Sequence, residues 1–391
     1  MDARVQFVGD FQRGDLSMTE LCERYGISRP TGYKWVARHA RGESLADRSR
    51  RPLRSPQTTP SDVVRALLEF RARHPLWGAG KLVQRLAQRA PDRPWPAAST
   101  AHEILRRYGC IEARRRRRPP TRSAPRPLAA DVPNCVWTID FKGEFRTLDG
   151  AWCYPLTIMD ACSRYLLACS ALAHPRTSPT RRVLERVFRT YGLPSRIRSD
   201  NGSPFACSNA LGRVSALTVW WVHLGIVPDR IQPGCPSQNG RHERMHKTLK
   251  RHTAVPPASS RVAQQARFTA FRVEYNEERP HDALAQLTPA MVYVPSAREM
   301  PARLPALEYP AHYERRRVSS SGCVRWKGVD VAVTRVLEGE DVGLEDIGED
   351  LWAVYFGPLR LGTFDVTAKR IRSAGHDHGG RSPAQAGSRS R

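Results

Sequence analysis

The sequence predicts a multidomain α+β chain, with helical modules in front, an α/β core in the middle and a run of short strands behind. Three observations carry this. Up to about residue 110 the chain shows helix start and stop signals, between about 136 and 252 strand and helix patterns alternate, and after about 311 only short strand-like runs return. At 391 residues it is too long for one compact domain, and 40% hydrophobic residues are enough for real cores.

Ser17-Met18-Thr19-Glu20 is a capping-box pattern that starts a helix at Ser17, with an apolar stripe of Leu21, Cys22 and Tyr25 and an end at Gly26. Ser28 caps a second helix, with Pro30 in its first turn and Tyr33, Trp35 and Val36 following. Two short helices joined at a glycine turn make residues 1–47 a helix-turn-helix candidate, in which Arg29, Thr31, Lys34 and Arg38 face a DNA groove. The plain alternative is an ordinary helical hairpin. After a basic, proline-bearing linker from Arg48 to Pro60, residues 58–112 carry a second helical unit. Ser61 caps a helix to about His74. Gly80–Arg89 forms another, with Leu82, Val83 and Leu86 on one face. Thr100-Ala101-His102-Glu103 is a capping box that opens a helix over 101–108, ended by Gly109. This unit is expected to be a second, helix-turn-helix-like DNA-binding domain. In 113–130, Arg114, Arg115, Arg116, Arg117, Arg118 and the prolines to Pro127 cannot pack a core, so a linker that tracks phosphates is expected.

From Val136 the period changes. Val136–Phe141 alternates, with Trp137, Ile139 and Phe141 on one face; Trp152–Met159 and Tyr165–Ala171 read as two further strands. Pro179–Tyr191 is an amphipathic helix closed by Gly192, and Arg196–Ser199 is a short strand leading to Asp200. A helix rich in Leu, Val and Trp then runs to about His223, a strand follows near Ile226–Ile231, and Ser237 or Asn239 caps a helix to about His252. Three strands, helix, strand, helix, strand, helix is the order of a ribonuclease-H-like α/β core, assigned to 131–300 with a further helix at 262–278. The runs Arg325–Val333, Asp341–Glu345, Trp352–Phe356 and Arg360–Asp365 suggest a small β-barrel over 310–372, followed by a disordered tail from 373 to 391.

The charge balance narrows the partners. Lys and Arg number 63 against 38 Asp and Glu, a net of +25. Residues 1–128 hold 27 of those bases and 12 of the acids, so the first third of the chain carries more than half the excess. That distribution favours a polyanionic partner, a nucleic acid, and the helix-turn-helix candidates make double-stranded DNA the expected one. Nine scattered cysteines with no C-x-x-C pair suggest neither a disulfide framework nor a zinc knuckle. His242, His246 and His252 share one helix but lack a matching Cys pair, and are read as structural. Trp220 and Trp221 are read as core rather than as a base-stacking platform. No apolar run is long enough for a membrane span, so a soluble, intracellular protein is expected.

Three carboxylates sit where such a core could use them: Asp140 within a strand, Asp200 just past another and Glu243 on a helix, at steps of 60 and 43 residues. Phosphodiester cleavage needs an activated nucleophile and neutralisation of the leaving oxygen, which two divalent ions held by hard oxygen ligands provide. A lone acid is a weak signal, and Asp149, Asp160, Glu277 and Glu278 compete. Context discriminates. Asp200 lies in Ser199-Asp200-Asn201-Gly202, a turn sequence at a strand mouth. Glu243 is followed by His246, Lys247 and Lys250 at i+3, i+4 and i+7, an acid among bases on one helical face.

Trp137-Thr138-Ile139-Asp140-Phe141-Lys142-Gly143, Ser199-Asp200-Asn201-Gly202-Ser203-Pro204-Phe205 and Pro236-Ser237-Gln238-Asn239-Gly240-Arg241-His242-Glu243-Arg244 resemble the three catalytic blocks of bacterial insertion-sequence transposases with a retroviral-integrase-type core. Met159–Tyr165 resembles the second strand of that core, and Tyr275-Asn276-Glu277-Glu278-Arg279-Pro280-His281 the segment just beyond it. Tyr25–Trp35 is similar more narrowly to the insertion-sequence family numbered four hundred and eighty-one. The step from Asp200 to Glu243 is longer than usual in related integrases, so Glu243 rests on its motif, with the extra residues expected in Ser208–Leu217. No His/Cys zinc pattern precedes the core; helix-turn-helix units stand there instead. The resemblance implies Asp140, Asp200 and Glu243 as catalytic metal ligands and Mg²⁺ or Mn²⁺, two ions, as cofactor. It also implies 3′-end cleavage and strand transfer as the activity. Lys247 and Lys250 are expected to hold phosphates near the triad. A homodimer or homotetramer on DNA is expected because two element ends must be joined, with a cytoplasmic, nucleoid-associated location. The rivals are a non-catalytic DNA-binding regulator derived from a transposase, and a nuclease that cleaves without joining.

Overall fold

The computed structural model describes residues 3–47, 58–111, 130–232 and 236–373. Arg114–Arg118, much of the first linker and the tail beyond 373 lie outside the described residues. The chain forms two compact units, Met1–Pro60 and Ser61–Arg391.

The first unit holds α1 (Ala3–Arg13), α2 (Met18–Arg24) and α3 (Arg29–Ala40). The capping box at Ser17 forms as expected: the Ser17 amide donates to the Glu20 carboxylate at 2.7 Å, and the Glu20 amide donates back to Ser17 Oγ at 3.4 Å. Gly26, at φ +63°, turns the chain between α2 and α3. α1 caps the pair with the fully buried Phe7, whose ring meets Tyr25 and Trp35 edge-on at 5.4 and 5.5 Å. A Cβ at Gly32 would stand 2.8 Å from Cys22 Sγ and 2.9 Å from Phe7, so α3 needs glycine where its backbone lies on the other two helices.

The second unit opens with α4 (Ser61–Arg73), α5 (Ala79–Arg89) and α6 (Ala98–Arg107), packed around Leu67, Phe70, Trp77, Leu82 and Leu105. α6 begins a turn earlier than Ala101. Its N-cap is Ala97, without a side-chain cap, and Glu103 forks onto Arg106 at 2.7 and 2.9 Å instead of closing a capping box. Two alanines after Pro96 let the helix propagate backwards past Thr100. This bundle is docked on the 274–282 segment of the same unit: Trp77 Nε1 donates to Glu274 at 2.9 Å and Lys81 Nζ to the Pro280 carbonyl at 2.6 Å.

The core contains β1 (Val136–Phe141), β2 (Phe145–Arg146), β3 (Trp152–Asp160), β4 (Leu166–Leu172), α7 (Thr177–Tyr191), β5 (Arg196–Ser199), α8 (Ala216–His223), β6 (Val227–Arg230), α9 (Gly240–Thr253) and α10 (Arg261–Val273). The sheet runs β4-β3-β1-β5-β6, with β2 hairpinned onto the start of β3. β4, β3 and β1 are antiparallel, while β1, β5 and β6 are parallel. This is the expected ribonuclease-H-like arrangement. One face packs Trp137, Ile139 and Ile158 against Phe188 of α7 and Trp220 and Trp221 of α8. The other packs Met159, Leu166 and Cys169 against Met245 and Leu249 of α9 and Phe268 of α10. α10 ends in a π-turn over Glu274–Glu278. No described helix is long and apolar enough to cross a membrane.

The C-terminal strands are β7 (Glu314–Arg317), β8 (Cys323–Trp326), β9 (Val329–Ala332), β10 (Asp341–Asp346), β11 (Leu351–Phe356), β12 (Leu359–Asp365) and β13 (Arg370–Ser373). The expected barrel does not close. Among the described residues β13-β12-β11-β10-β7 is an open antiparallel sheet, and β8-β9 is a separate hairpin. Arg325–Val333, expected as one strand, breaks at Lys327 and Gly328, both at positive φ. The hairpin then wedges Trp326 onto Trp352 and Phe364, at 4.8 and 5.5 Å between centroids. The edges β7 and β13 are four residues long and arginine-rich, a composition that hides them in the sequence and suits unpaired edges.

Asp160, one of the acids that competes for a chemical role, is fully buried and committed to structure. Its carboxylate accepts from the amides of Asn134 at 2.8 Å and Ser163 at 2.7 Å, and from Ser163 Oγ at 2.6 Å, tying the entry of β1 to the β3–β4 turn. Replacing Asp160 by Ala strands three buried donors and is expected to cost about 3–5 kcal/mol in urea unfolding. A loss under about 1 kcal/mol would show that the carboxylate does not hold this turn.

Candidate active site

The pleat and the strand register together place the first two acids. Along β1, Trp137 and Ile139 point to the α7–α8 face, so Thr138 and Asp140 point to the face covered by α9. β1 and β5 are parallel with Thr138 opposite Arg198; two residues further on stand Asp140, within β1, and Asp200, the residue just past the end of β5. Both acids thus reach the carboxyl ends of adjacent parallel strands. Asp200 accepts from the Gly202 amide at 3.1 Å, and Asn201 ties the turn to β6 through the Ile231 carbonyl at 2.8 Å.

The electrostatics register this pairing. Burial, then the charge of Asp200 and to a lesser degree that of Glu243, push the Asp140 carboxyl up to about 7. Burial also raises Asp200. Glu243 lies in the first turn of α9 with an exposed side chain. Its charge acts on Asp140, yet among the described residues no three His, Cys, Asp or Glu side chains are drawn close enough to cage an ion. The structure therefore brings Asp140 and Asp200 together and leaves Glu243 on the rim.

Two histidines fix α9 to the sheet. His242 and His246 stand at i and i+4 and are buried. Thr157 Oγ1 of β3 lies 2.6 Å from His242 Nε2, 2.7 Å from His246 Nε2 and 3.1 Å from the Asp140 carbonyl. All three contacts are satisfied when the hydroxyl donates to the carbonyl and both Nε2–H groups donate to the hydroxyl. Thr138 Oγ1 lies 2.7 Å from His242 Nδ1 and 3.2 Å from the Met159 carbonyl, and with its single proton it donates to the nearer ring nitrogen. Burial depresses His242 to about 3 and His246 to about 2, with the His242 and Lys142 charges adding to the latter, so both rings are neutral. The 3.7 Å approach of His246 to Asp140 is accordingly no ion pair. The sequence places His246 on one face with Glu243, Lys247 and Lys250; the structure buries His246 and leaves the other three exposed. Histidines at i and i+4 on a polar helix, aligned with two inward threonines, were the available signal.

The expected DNA-contacting residues divide. Arg29 and Lys34 are exposed on α3, and Lys247 and Lys250 on α9. Thr31 and Arg38 are half-buried and partly engaged: Thr31 with Ser28 Oγ at 3.0 Å, Arg38 with the Ala46 carbonyl at 3.3 Å. Trp220 and Trp221 are core residues, 3% and 1% exposed.

Family comparisons agree with this architecture. An integrase core domain matches over residues 130–236 and again over 224–289. A homeodomain-like domain matches 31–105 and a helix-turn-helix domain 3–52. The matched domains run in the order helix-turn-helix segments, then an integrase core.

Among relatives, the chain is 29% identical over 195 residues to the insertion element IS407 uncharacterized 31.7 kDa protein of Burkholderia multivorans, covering 48% of this chain and 66% of that protein. It is 28% identical over 182 residues to the insertion element IS476 uncharacterized 39.2 kDa protein of Xanthomonas euvesicatoria, covering 46% of this chain and 50% of that one. The match thus spans less than two thirds of either relative. Among solved structures, the simian T-cell lymphotropic virus intasome in complex with PP2A regulatory subunit B56 gamma aligns at 14% identity over 75% of this chain and 91% of that one, with a TM-score of 0.38, a superposition too loose to bear on the site.

Two outcomes follow from this geometry. Because the folded Asp140 carboxyl is raised to about 7, the native state keeps its proton after the unfolded chain has released it. Stability present below about pH 4 is therefore lost as pH rises to about 7, by up to about 4 kcal/mol without divalent ions. Urea titrations from pH 4 to 8 should show this fall in the wild type and a flatter profile in Asp140→Asn; parallel profiles would refute the assignment. Thr157→Val leaves two buried imidazole N–H groups without an acceptor and should cost about 2–3 kcal/mol, read from the same unfolding midpoints.

Proposed function

We propose that this chain is a DNA transposase of the Asp–Asp–Glu type, freeing a 3′-hydroxyl at each end of a mobile element and joining it to target DNA. The observation that carries the reading is the side-by-side placement of Asp140 and Asp200 at the ends of two parallel strands, where burial raises both carboxyls and the charge of Asp200 raises Asp140 further. Such a pair of hard oxygen donors, with Glu243 on the adjoining helix, fits Mg²⁺ or Mn²⁺ better than a soft-ligand metal. Asp140, Asp200 and Glu243 would hold the ions, two in number. When bound they supply Lewis-acid activation of the attacking hydroxyl and stabilisation of the leaving oxygen.

The chain's own groups do the rest. Asp140 and Asp200 act as carboxylates; burial opposes their ionisation, and positive charge beside them favours it. Buried His242 and His246 hold α9, and with it Glu243, against β1 and β3. Lys247 and Lys250, exposed with Glu243, meet DNA phosphates beside the acids. The helix-turn-helix segment, with Arg29 and Lys34 outward, recognises element ends. Two ends joined in one reaction require a dimer or tetramer on DNA, in the bacterial cytoplasm at the nucleoid. Tyr25–Trp35 supports membership of the insertion-sequence family numbered four hundred and eighty-one.

With labelled element ends, target DNA and Mg²⁺, the wild type should yield joined products on a denaturing gel. Asp140→Asn and Asp200→Asn should each lower joining by at least about a hundredfold while end binding is kept. Joining that survives either change would refute the triad; end binding without joining in the wild type would favour the regulator.

A further inference from the structure

We infer that a second anion site, distinct from the carboxylate cluster, lies where α5, the β3–β4 turn, the start of α9 and the 279–282 segment meet, and that it grips a backbone phosphate of bound DNA. A cavity of about 310 Å³ opens there, lined by Lys81, Arg164, Arg241, Arg244 and Arg279 against the single carboxylate of Asp282. Asp282 is already committed to Lys81 at 3.3 Å and to Gln286 at 2.8 Å. None of the four arginines forms an ion pair among the described residues.

Two of them are left in an unusual state. Arg164 Nη1 and Arg279 Nη1 are buried and have no hydrogen-bond partner. Arg164 is presented from a left-handed residue, φ +64°, at the tip of the turn that Asp160 organises. Burial lowers the pKa of Lys81, Arg164 and Arg279, each of which is charged at a cost. Asp282 pairs with Lys81, and the charges of Glu274, Asp282 and Asp160 favour the charged forms of Arg279 and Arg164 without outweighing burial; an oxyanion that accepts from the unpaired guanidinium nitrogens offsets the remaining penalty. Gly240, the first residue of the 14-residue α9, also lines the cavity, adding the positive end of a helix to the same point.

A phosphodiester fits better than a protein carboxylate. Arg244 is exposed, and on the same helix lie exposed Lys247 and Lys250, so the positive surface runs on from the cavity along α9. A polyanion can follow such a path, and a single side chain cannot. Naming DNA as the source of the phosphate rests on the function proposed above; the existence of an oxyanion site does not. Lys81 belongs to the helical bundle and the other cations to the core, so a bound phosphate would also clamp α5 to α9.

The first test uses inorganic phosphate and thermal melting of the full chain at matched ionic strength. Phosphate should raise the wild-type melting temperature relative to chloride, and Arg279→Gln and Arg244→Gln should lessen that shift. Asp140→Asn should keep it, so failure of the catalytic reading leaves this result standing. The second test measures affinity for a duplex against salt. Each variant should reduce the slope of log Kd on log salt by about one, the signature of one lost phosphate contact. Without phosphate, Arg279→Gln should melt no lower than the wild type, because it relieves an unpaired buried charge. Equal melting in phosphate and chloride, unchanged salt slopes in folded variants, or a marked loss of stability in both variants without phosphate would overturn the proposal. Exposed Arg244 supplies a folded variant whatever Arg279→Gln does.

Discussion

The bond set around Thr157 is the constraint on which the site depends. One hydroxyl on β3 meets two imidazoles of α9 and the carbonyl of Asp140, and a second hydroxyl on β1 completes the set. A polar helix such as α9 has little apolar surface with which to choose its position on a sheet; Met245 and Leu249 are its main buried apolar side chains. The histidine–threonine contacts supply direction and register that two apolar anchors cannot, because hydrogen bonds fall off steeply with angle. Neutral rings matter here: a protonated imidazole in that layer would be unpaired and costly.

Given that anchoring, the remainder is topology. A parallel β1–β5 pair brings two strand ends level, and the crossover helix between them lies on the opposite face from α9. The carboxylates therefore emerge on the sheet's α9 side, where a helix carrying Glu243 can approach. Asp140 sits deep enough for its charge to be disfavoured; Glu243 stays in water. The acids are thus graded in burial, a layout in which nearby positive charge favours ionisation of the two aspartates together.

The same core manages an excess of positive charge in two ways. On the surface, Lys247 and Lys250 remain solvated, which costs little. At the seam between α5 and α9, Arg164 and Arg279 are partly withdrawn from water, each with a buried Nη1 that has no hydrogen-bond partner. Glu274 shows the contrasting solution close by: it accepts from the Trp77 indole and contacts His74, and so docks the helical bundle with its carboxylate hydrogen-bonded.

Much of this was legible from the residues. Period-two alternation in Val136–Phe141, the capping box at Ser17 and the turn signals after Asp200 depend on neighbours a few positions apart, so local chemistry determined them. The three acids could be nominated from their motifs. Other features depend on which distant groups share a space. The early start of α6, the split of Arg325–Val333 into a hairpin and the open C-terminal sheet were settled by packing and by charged edges that do not read as strands. Burial of His246 away from Glu243, commitment of Asp160 to a turn and the unpaired arginines at the α5–α9 seam belong to the same class. Sequence spacing specifies a helix face, and only tertiary contact decides whether that face meets water, a sheet or another cation.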